Sequence, residues 1–274
     1  MKKLLRLLDG KMARLKVLTL TILSLTILLL IGGCVGAKET QKIVIGLDDG
    51  CAPMGFRDAQ GNIVGFDVDL AKETARRMNV AIEFKPISWN NKKLEITSGK
   101  IDMIWNGCDI MPEYKEYMIF SKPYMDNRQI ILVRKGDTQG IHAVDDLAGK
   151  IVATQAGSNS EDYIDSNPKL RDSFSKFMTY NNVKEGFEFL SAGKFDVIIV
   201  DEIAARYEIM KNPDAFEIIE LTIGPVTEFG IGFRKNDVEL RDRVQKVFDE
   251  MIKDGTAKKI SEQWFQADLI KARR

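Results

Sequence analysis

From residue 42 onward, short apolar runs alternate with stretches that repeat hydrophobic residues at helical spacing. Runs of this kind are typical of buried strands, whereas apolar residues three or four positions apart indicate helices with one buried face. Asp67 precedes such a repeat and is predicted to cap its helix. The elements predicted for this first unit are strand Lys42–Leu47, a hairpin turning at Gln60–Asn62, helix Asp67–Met78, strand Val80–Phe84, helix Lys92–Ser98 and strand Ile101–Trp105.

A second unit of the same kind follows a pause in the pattern at Ser121–Tyr124. Two similar α/β units predict two lobes with a cleft at the carboxyl ends of their strands. A helical tail, Val238–Phe265, is broken at Gly255. The elements predicted for the second unit are strand Lys150–Thr154, a helix from about Ser160, strand Phe177–Tyr180, helix Val183–Ala192, strand Phe195–Val200 and a helix from Asp201 to Met210.

The first 33 residues have the layout of an export signal, with six basic residues and one acid, and Val17–Ala37 carries no charge. The segment Ile31-Gly32-Gly33-Cys34 resembles a bacterial lipobox, which implies cleavage before Cys34 and a lipid on its sulfur. Residues 1–33 are therefore interpreted as a lipoprotein signal peptide. Residues 34–41 are interpreted as a lipid-anchored tether that holds the body at the cell membrane, outside the cytoplasm. The alternative is an uncleaved transmembrane anchor.

Composition narrows the function of the rest of the chain. Of 274 residues, 45% are hydrophobic, so a sizeable core is expected. The chain after residue 33 is mildly acidic, which argues against nucleic-acid binding. Cys51 and Cys108 match no zinc spacing and His142 is the sole histidine, so no metal site or cofactor is expected. The two cysteines are interpreted as half-buried thiols, and an exported location also permits a disulfide.

Six collinear motifs resemble the polar amino-acid family of extracellular solute-binding proteins, over residues 42–270. The motifs are Ile43–Asp49, Gly65–Leu70, Ser98–Asp102, Pro112-Glu113 with Phe120–Tyr124, Gln155–Ser158 and Asp196–Asp201. The resemblance implies an α/β fold of the type II periplasmic binding proteins, a two-lobe Venus flytrap with two crossover hinge strands. The implied divisions are residues 42–124 for the first part of lobe 1, 125–226 for lobe 2, and 227–274 for the return to lobe 1 and the C-terminal helices. The crossings fall near Tyr124–Arg128 and Val226–Phe229.

The resemblance also implies a function. Such a protein, expected to be a monomer, captures a small polar amino acid or related amine in the cleft. It then delivers the solute to the permease and ATPase subunits of an ABC importer. We expect no catalysis. A remote alternative is a dehydratase-like enzyme on the same fold, for which Asp109, Glu113, Asp201 and Glu202 would supply carboxylates.

In the family, an arginine, a small hydroxyl residue and a helix-opening loop hold the α-carboxylate of the ligand, and an aspartate holds its ammonium group. Here Asp201 matches the ammonium acceptor, Ser158 opens the second-lobe helix, and Trp89 matches an aromatic wall. The other matching cleft positions are Asp48, Asn106, Gly107 and Gln155.

Four cleft positions depart from the family pattern. Tyr114 stands where the arginine belongs and Asp109 where the hydroxyl residue belongs, so a ligand carboxylate should be repelled. Cys51 replaces an aromatic ring, and Asn159 replaces a small residue. Lys115, next to Tyr114, is one candidate to supply the missing positive charge.

Three hypotheses follow from these departures. The first is a site for a cation without an α-carboxylate, such as an amine, polyamine or amino amide. Asp109 and Asp201 would cage that cation, with Trp89 and Tyr114 in cation–π contact. The second is weak binding of an ordinary polar amino acid after Tyr114 and Asp109 rearrange. The third is loss of ligand binding.

Overall fold

The computed structural model describes residues 42–271, which belong to one compact unit. The predicted signal peptide, the tether and the lipidation site at Cys34 lie outside the described residues. Within residues 42–271, no helix combines the length and the hydropathy that crossing a membrane requires.

Twelve strands and nine α-helices make up the described chain. The strands are β1 (Lys42–Leu47), β2 (Gly50–Cys51), β3 (Gly55–Arg57), β4 (Ile63–Val64), β5 (Ala81–Pro86), β6 (Met103–Asp109), β7 (Met118–Phe120), β8 (Met125–Arg134), β9 (Ile151–Gln155), β10 (Lys176–Tyr180), β11 (Val197–Asp201) and β12 (Phe216–Arg234). The helices are α1 (Phe66–Met78), α2 (Lys92–Thr97), α3 (Pro112–Lys115), α4 (Asn159–Asp165), α5 (Pro168–Ser173), α6 (Val183–Ser191), α7 (Glu202–Lys211), α8 (Val238–Lys253) and α9 (Thr256–Phe265).

One sheet of nine strands organises the molecule, in the order β10-β9-β11-β8-β12-β6-β1-β5, with β7 paired to β12. Strands β5, β1, β6 and β7 form what we call the first half of the sheet, and β10, β9 and β11 form the second half. Strand β1 runs parallel to β5 and β6, and β9 runs parallel to β10 and β11. Helices α1, α8 and α9 pack together over the first half, and α6 and α7 pack over the second.

Strands β8 and β12 join the two halves. They pair antiparallel, and the register of β12 shifts between Ile219 and Thr222 and again between Ile223 and Thr227. Beyond the second shift, Thr227 pairs with Asn127 and Phe229 pairs with Met125. These paired segments are the ones in which the family resemblance places the crossings, so the chain passes between the halves where β8 and β12 run side by side.

Two local predictions were wrong. Strand β6 does not end at Trp105 but continues to Asp109, because the end of β12 pairs with it and satisfies its backbone. Asp67 does not cap α1: the cap residue is Gly65 at φ 146°, and Asp67 lies within the first turn. A side chain at position 65 would meet Met54 O at 2.3 Å from its Cβ, so only glycine fits there.

Asp67 instead links α1 to β6 and to Tyr124, which directly precedes β8. Its Oδ2 accepts hydrogen bonds from the Gly107 amide at 2.7 Å and from the Tyr124 hydroxyl at 2.9 Å. The side chain is fully buried, and that burial raises its pKa to about 7. Asp67, which the sequence pattern predicted to be a helix cap, therefore holds β6 and the start of β8 against α1.

Candidate ligand-binding site

Four strand ends converge on one buried cavity. Asp48 follows β1, Asp109 ends β6, Gln155 ends β9 and Asp201 ends β11. The cavity is lined by Asp48, Cys51, Trp89, Asn106, Gly107, Asp109, Gln129, Gln155, Ser158, Asn159 and Asp201. Ten of the eleven residues predicted from the sequence thus meet around it. Tyr114 is the exception, and Gln129 is an addition that the sequence comparison missed.

The cavity is small, at about 20 Å³. That is close to the volume one water molecule needs, whereas pockets for small organic ligands usually measure about 300–1,000 Å³. Both halves of the sheet contribute to its walls. An amino-acid ligand would therefore fit only after the two halves move apart.

Asp109 is held by three donors. Its Oδ1 accepts from Asn127 Nδ2 at 3.0 Å and from the Thr227 hydroxyl, and its Oδ2 accepts from Asn159 Nδ2 at 2.9 Å. Asn127 and Thr227 are the residues that face each other across β8 and β12. Burial, reinforced by the nearby charge of Asp201, raises the pKa of Asp109.

Asp201 shares one of those donors. Asn127 Nδ2 also donates to Asp201 Oδ1 at 2.6 Å, and Gln129 Nε2 donates to the same oxygen. Asn127 and Gln129 are two positions apart on β8, so their side chains leave the same face of the strand. Burial raises the pKa of Asp201 as well. Two buried carboxylates thus lie on either side of a single amide group.

Asp48 forms a bond across the cleft. Its Oδ2 accepts from Gln155 Nε2 at 2.7 Å, and its Oδ1 accepts from the Gly50 amide at 2.8 Å. Asn106 accepts from the Asp48 backbone N–H at 2.9 Å, which fixes the amide of Asn106 in one orientation. Desolvation raises the pKa of Asp48 to about 6. The cavity therefore presents three carboxyl groups whose charged forms are all disfavoured by burial.

Several polar atoms at the cavity lack a partner among the described residues. They are the amide oxygens of Asn127 and Asn159 and the amide nitrogen of Asn106. Buried polar groups are nearly always hydrogen-bonded, and leaving one unpaired costs about 1–3 kcal/mol. The site therefore has unused acceptors beside Asp109 and an unused donor near Asp48.

Tyr114 lies behind the cavity wall, where its hydroxyl is 3.3 Å from Gly157 O and 3.3 Å from Asp162 Oδ2. The ring face of Tyr114 is covered by Lys92, whose Nζ lies 4.4 Å from the ring centroid and 5.5 Å from the centroid of Trp89. Lys92 also donates to Gly157 O. Its side chain is only 5% exposed, and burial lowers its pKa. The cation over these two rings is thus a residue of the chain itself.

The sequence does not distinguish Lys92 from an ordinary exposed lysine at the start of a short helix, so its role was not predicted. Lys115, which the sequence suggested as a substitute for the missing positive charge, is exposed. Gly157, which lies 65 residues beyond Lys92, belongs to the second half of the sheet. A local sequence pattern cannot predict the contact between Lys92 and Gly157, because 65 residues separate them.

Both cysteines are free thiols, and both are buried rather than half-buried as the sequence suggested. Cys51 lines the cavity. Burial raises the pKa of Cys108 to about 12 and that of Cys51 well above its ordinary value, so both are protonated at neutral pH and are poor nucleophiles. In the part of the chain that the structure describes, no group of three His, Cys, Asp or Glu residues could hold a metal ion.

The model of the bacterial extracellular solute-binding proteins, family 3, matches residues 43–267. The chain belongs to this family. The family covers nearly all of the described residues, and its members are extracellular or periplasmic.

Known relatives agree with this assignment. The L-cystine-binding protein TcyJ of Escherichia coli strain K12 is 32% identical over 234 residues, which cover 85% of this chain and 86% of the relative. An ABC uptake transporter substrate-binding protein from Streptococcus pneumoniae with bound histidine is 31% identical at a TM-score of 0.79, covering 84% of this chain and 95% of that chain. An ancestral amino acid-binding protein, a precursor of cyclohexadienyl dehydratase, is 32% identical at a TM-score of 0.74, covering 82% and 95%. The predicted two-lobe, type II periplasmic binding protein fold is confirmed.

Proposed function

We propose that this chain is the solute-binding subunit of an ABC importer and that it captures an amino acid in the cavity between the halves of the sheet. The observation that carries the proposal is the convergence of Asp48, Asp109 and Asp201 on one buried cavity that no lysine or arginine lines. Buried carboxylates favour a ligand that brings its own positive charge. The ligand is then passed to the permease and ATPase subunits. The family and the amino-acid ligands named for its relatives support this function.

The α-ammonium group of the ligand has a matching set of acceptors. An ammonium group carries three donors. Asp109 and Asp201 supply carboxylate oxygens on either side of Asn127, and Asn159 supplies an unpaired amide oxygen. In this proposal the ammonium takes over the acceptors that the amides of Asn127 and Gln129 occupy in the closed cavity. Closure of the halves then excludes water and brings both walls onto the ligand.

Thermal unfolding of the chain from Lys38 onward, with a panel of the standard amino acids, tests this function. A ligand that binds only the folded protein raises the midpoint by mass action. For a micromolar ligand at millimolar concentration we expect a rise of about 8 °C or more. A panel in which no amino acid moves the midpoint would contradict the proposal and would favour the loss of ligand binding.

A second candidate ligand is a cation that lacks the α-carboxylate, such as an amine, a polyamine or an amino amide. The buried carboxyl group of Asp109 in the cavity wall favours it, because a ligand carboxylate beside Asp109 would be repelled. Decarboxylated amines and amides matched to the amino acids in the panel separate the two classes. Stabilisation by the amines alone would select the second candidate.

We propose a binding role without catalysis, since the named relatives of this chain include amino-acid-binding proteins and a transporter substrate-binding protein. Incubating the protein with each stabilising ligand and following the ligand by NMR tests this statement. We expect the ligand spectrum to stay unchanged over hours. New signals that depend on Asp109 or Asp201 would favour the dehydratase-like alternative.

For the ends of the chain we propose the following. Residues 1–33 are a signal peptide, and Cys34 carries a lipid that tethers a monomeric body to the outside of the cell membrane through residues 34–41. The lobes divide at residues 124 and 226. Feeding cells an alkyne-tagged fatty acid should label the wild type and leave Cys34→Ala unlabelled. A labelled Cys34→Ala protein would exclude this anchor.

A further inference from the structure

Lys92 has an unusual position among the basic residues. Of the lysines and arginines in residues 42–271, it is the one whose side chain is buried. Its ammonium group is enclosed by the rings of Trp89 and Tyr114 and by the carbonyl of Gly157. A buried charge is costly unless its surroundings compensate for it. Here two aromatic faces and a carbonyl oxygen provide that compensation, which fixes the charge in one place.

The charge of Lys92 acts on the cavity. Trp89, whose ring lies 5.5 Å from the ammonium group, is part of the cavity wall. The titratable groups that face Lys92 are Cys108, Asp162, Asp109 and Glu161. Of these, Asp109 lines the cavity. Burial and the charge of Asp201 raise the pKa of Asp109, while hydrogen bonds from Thr227 and Asn127 and the positive charge of Lys92 lower it. Lys92 is also joined to the cavity wall through the chain, because it donates to Gly157 O and the next two residues, Ser158 and Asn159, line the cavity.

We propose that Lys92 is a specificity-determining residue: its buried ammonium makes the cavity prefer solutes that carry both a carboxylate and an ammonium group over solutes that carry positive charge alone. This inference rests on the proposed function, because it concerns the same cavity. A ligand carboxylate is attracted by Lys92, and an additional ligand cation is repelled by it. The three carboxyl groups of the cavity act in the opposite sense, so Lys92 sets the balance between the two kinds of ligand.

The test compares Lys92→Met with Lys93→Met. Both variants remove one positive charge from α2, but Lys93 is exposed and its Nζ lies near the ring of Tyr117, 5.3 Å from the centroid. Dissociation constants are measured by calorimetry for two pairs of probes, L-arginine with agmatine and L-glutamine with its α-amide. We expect Lys92→Met to shift the ratio of the two constants within each pair toward the decarboxylated or amidated probe by at least about tenfold. Lys93→Met should leave the ratio within about threefold of the wild type. An unchanged ratio in Lys92→Met would overturn the inference.

Lys92→Gln helps to separate the charge from the hydrogen bond, since glutamine keeps an N–H donor and removes the charge. A charge effect predicts the same shift in Lys92→Gln as in Lys92→Met. A shift in Lys92→Met alone would mean that Lys92 acts by holding the Gly157 turn, and the inference would be wrong. Lys92→Gln also replaces Lys92→Met if the latter does not fold.

A measurement without ligand distinguishes a failure of this inference from a failure of the proposed function. The carboxyl carbons of Asp109 and Asp201 are titrated by ¹³C NMR in the ligand-free wild type and in the same variants. Removing the charge of Lys92 should raise the apparent pKa of the Asp109 carboxyl, and removing that of Lys93 should not. If no probe binds the wild type, the proposed function fails, and the titration still decides whether Lys92 acts on the cavity. An unmoved carboxyl in Lys92→Gln would overturn the inference.

Discussion

Two buried acids meet β6 at neighbouring points and differ in what holds their carboxyl groups: Asp67 of α1 binds the amide of Gly107, and Asp109 lies two residues further along the strand. Asp67 accepts from the Gly107 backbone and from Tyr124, groups that are themselves locked in the first half of the sheet. Asp109 accepts from the side chains of Asn127, Thr227 and Asn159, two of which belong to the joining strands and one to the second half. Burial raises the pKa in both cases. The difference indicates that burial of Asp67, whose donors are fixed, serves structure, and it is the basis for the proposal that Asp109, whose donors are side chains from different elements, serves binding.

The largest expected effect comes from removing the structural acid. Asp67→Ala leaves a buried amide and a buried hydroxyl without an acceptor and creates a small cavity. We expect the free energy of unfolding to fall by about 3–5 kcal/mol in a denaturant titration. Lys72→Ala, on the exposed face of the same helix, should change it by less than about 0.5 kcal/mol. A mild effect of Asp67→Ala would remove the distinction between the two regions.

The reverse result is expected at the cavity. Asp201→Asn keeps an oxygen for Asn127 and Gln129 but loses the negative charge that faces the ligand ammonium. We expect the dissociation constant of the best ligand to rise about 100-fold in calorimetry, with unfolding unchanged. Glu202→Gln removes the same charge one residue further along, outside the cavity, and should change affinity by less than about threefold. Equal effects of the two variants would contradict the assignment of Asp201.

Closure can be disturbed without touching either acid. A Cβ at Gly157 would lie 2.6 Å from the backbone Cα of Asn90, across the boundary between the halves, so Gly157→Ala should hold them apart. We expect ligand affinity to fall about tenfold or more. Gly193→Ala is the matched control, because its φ of +71° resembles the +76° of Gly157 but its Cβ would meet nothing within 4 Å. If both variants weaken binding equally, backbone strain and not the contact is responsible.

Stability is also expected to depend on pH. The pKa of Asp67 in the folded protein is about 7 and that of Asp48 about 6, both above the ordinary value of 3.8. The folded state therefore holds protons that the unfolded state has released, and stability should decrease as pH rises from about 5 to 7.5. In thermal unfolding we expect the midpoint to fall by about 8 °C over that range. Asp67→Asn should flatten the profile, whereas saturating ligand should remove only the contribution of the cavity acids. If Asp67→Asn leaves the dependence of stability on pH unchanged, groups other than Asp67 must take up the protons.

The sequence predicts much of this architecture because its elements follow local rules. Apolar runs mark β1, β6, β9 and β11, and the polar residues that end those strands gather where parallel strands share an edge. Ten of the residues chosen from motif spacing line the enclosed space. The sequence does not predict contacts between residues that are far apart along the chain. The partners of Asp67 lie 40 and 57 residues away, and Lys92 is buried only because Tyr114 and Gly157 meet it. Gln129 was missed because its strand was treated as a crossing segment and not as part of the site.

The pair formed by Asn127 and Thr227 has a consequence for how such a protein changes its ligand over evolutionary time. Each residue lies where the chain crosses between the halves, and each also donates to the carboxyl group of Asp109. If the halves move apart to admit a solute, as proposed, a substitution there that alters which solute is accepted also alters the strands that join the moving halves. Choice of solute and rate of capture are therefore inherited together at these positions. Residues such as Cys51, which line the cavity away from β8 and β12, are the ones where ligand preference can drift while the motion stays the same.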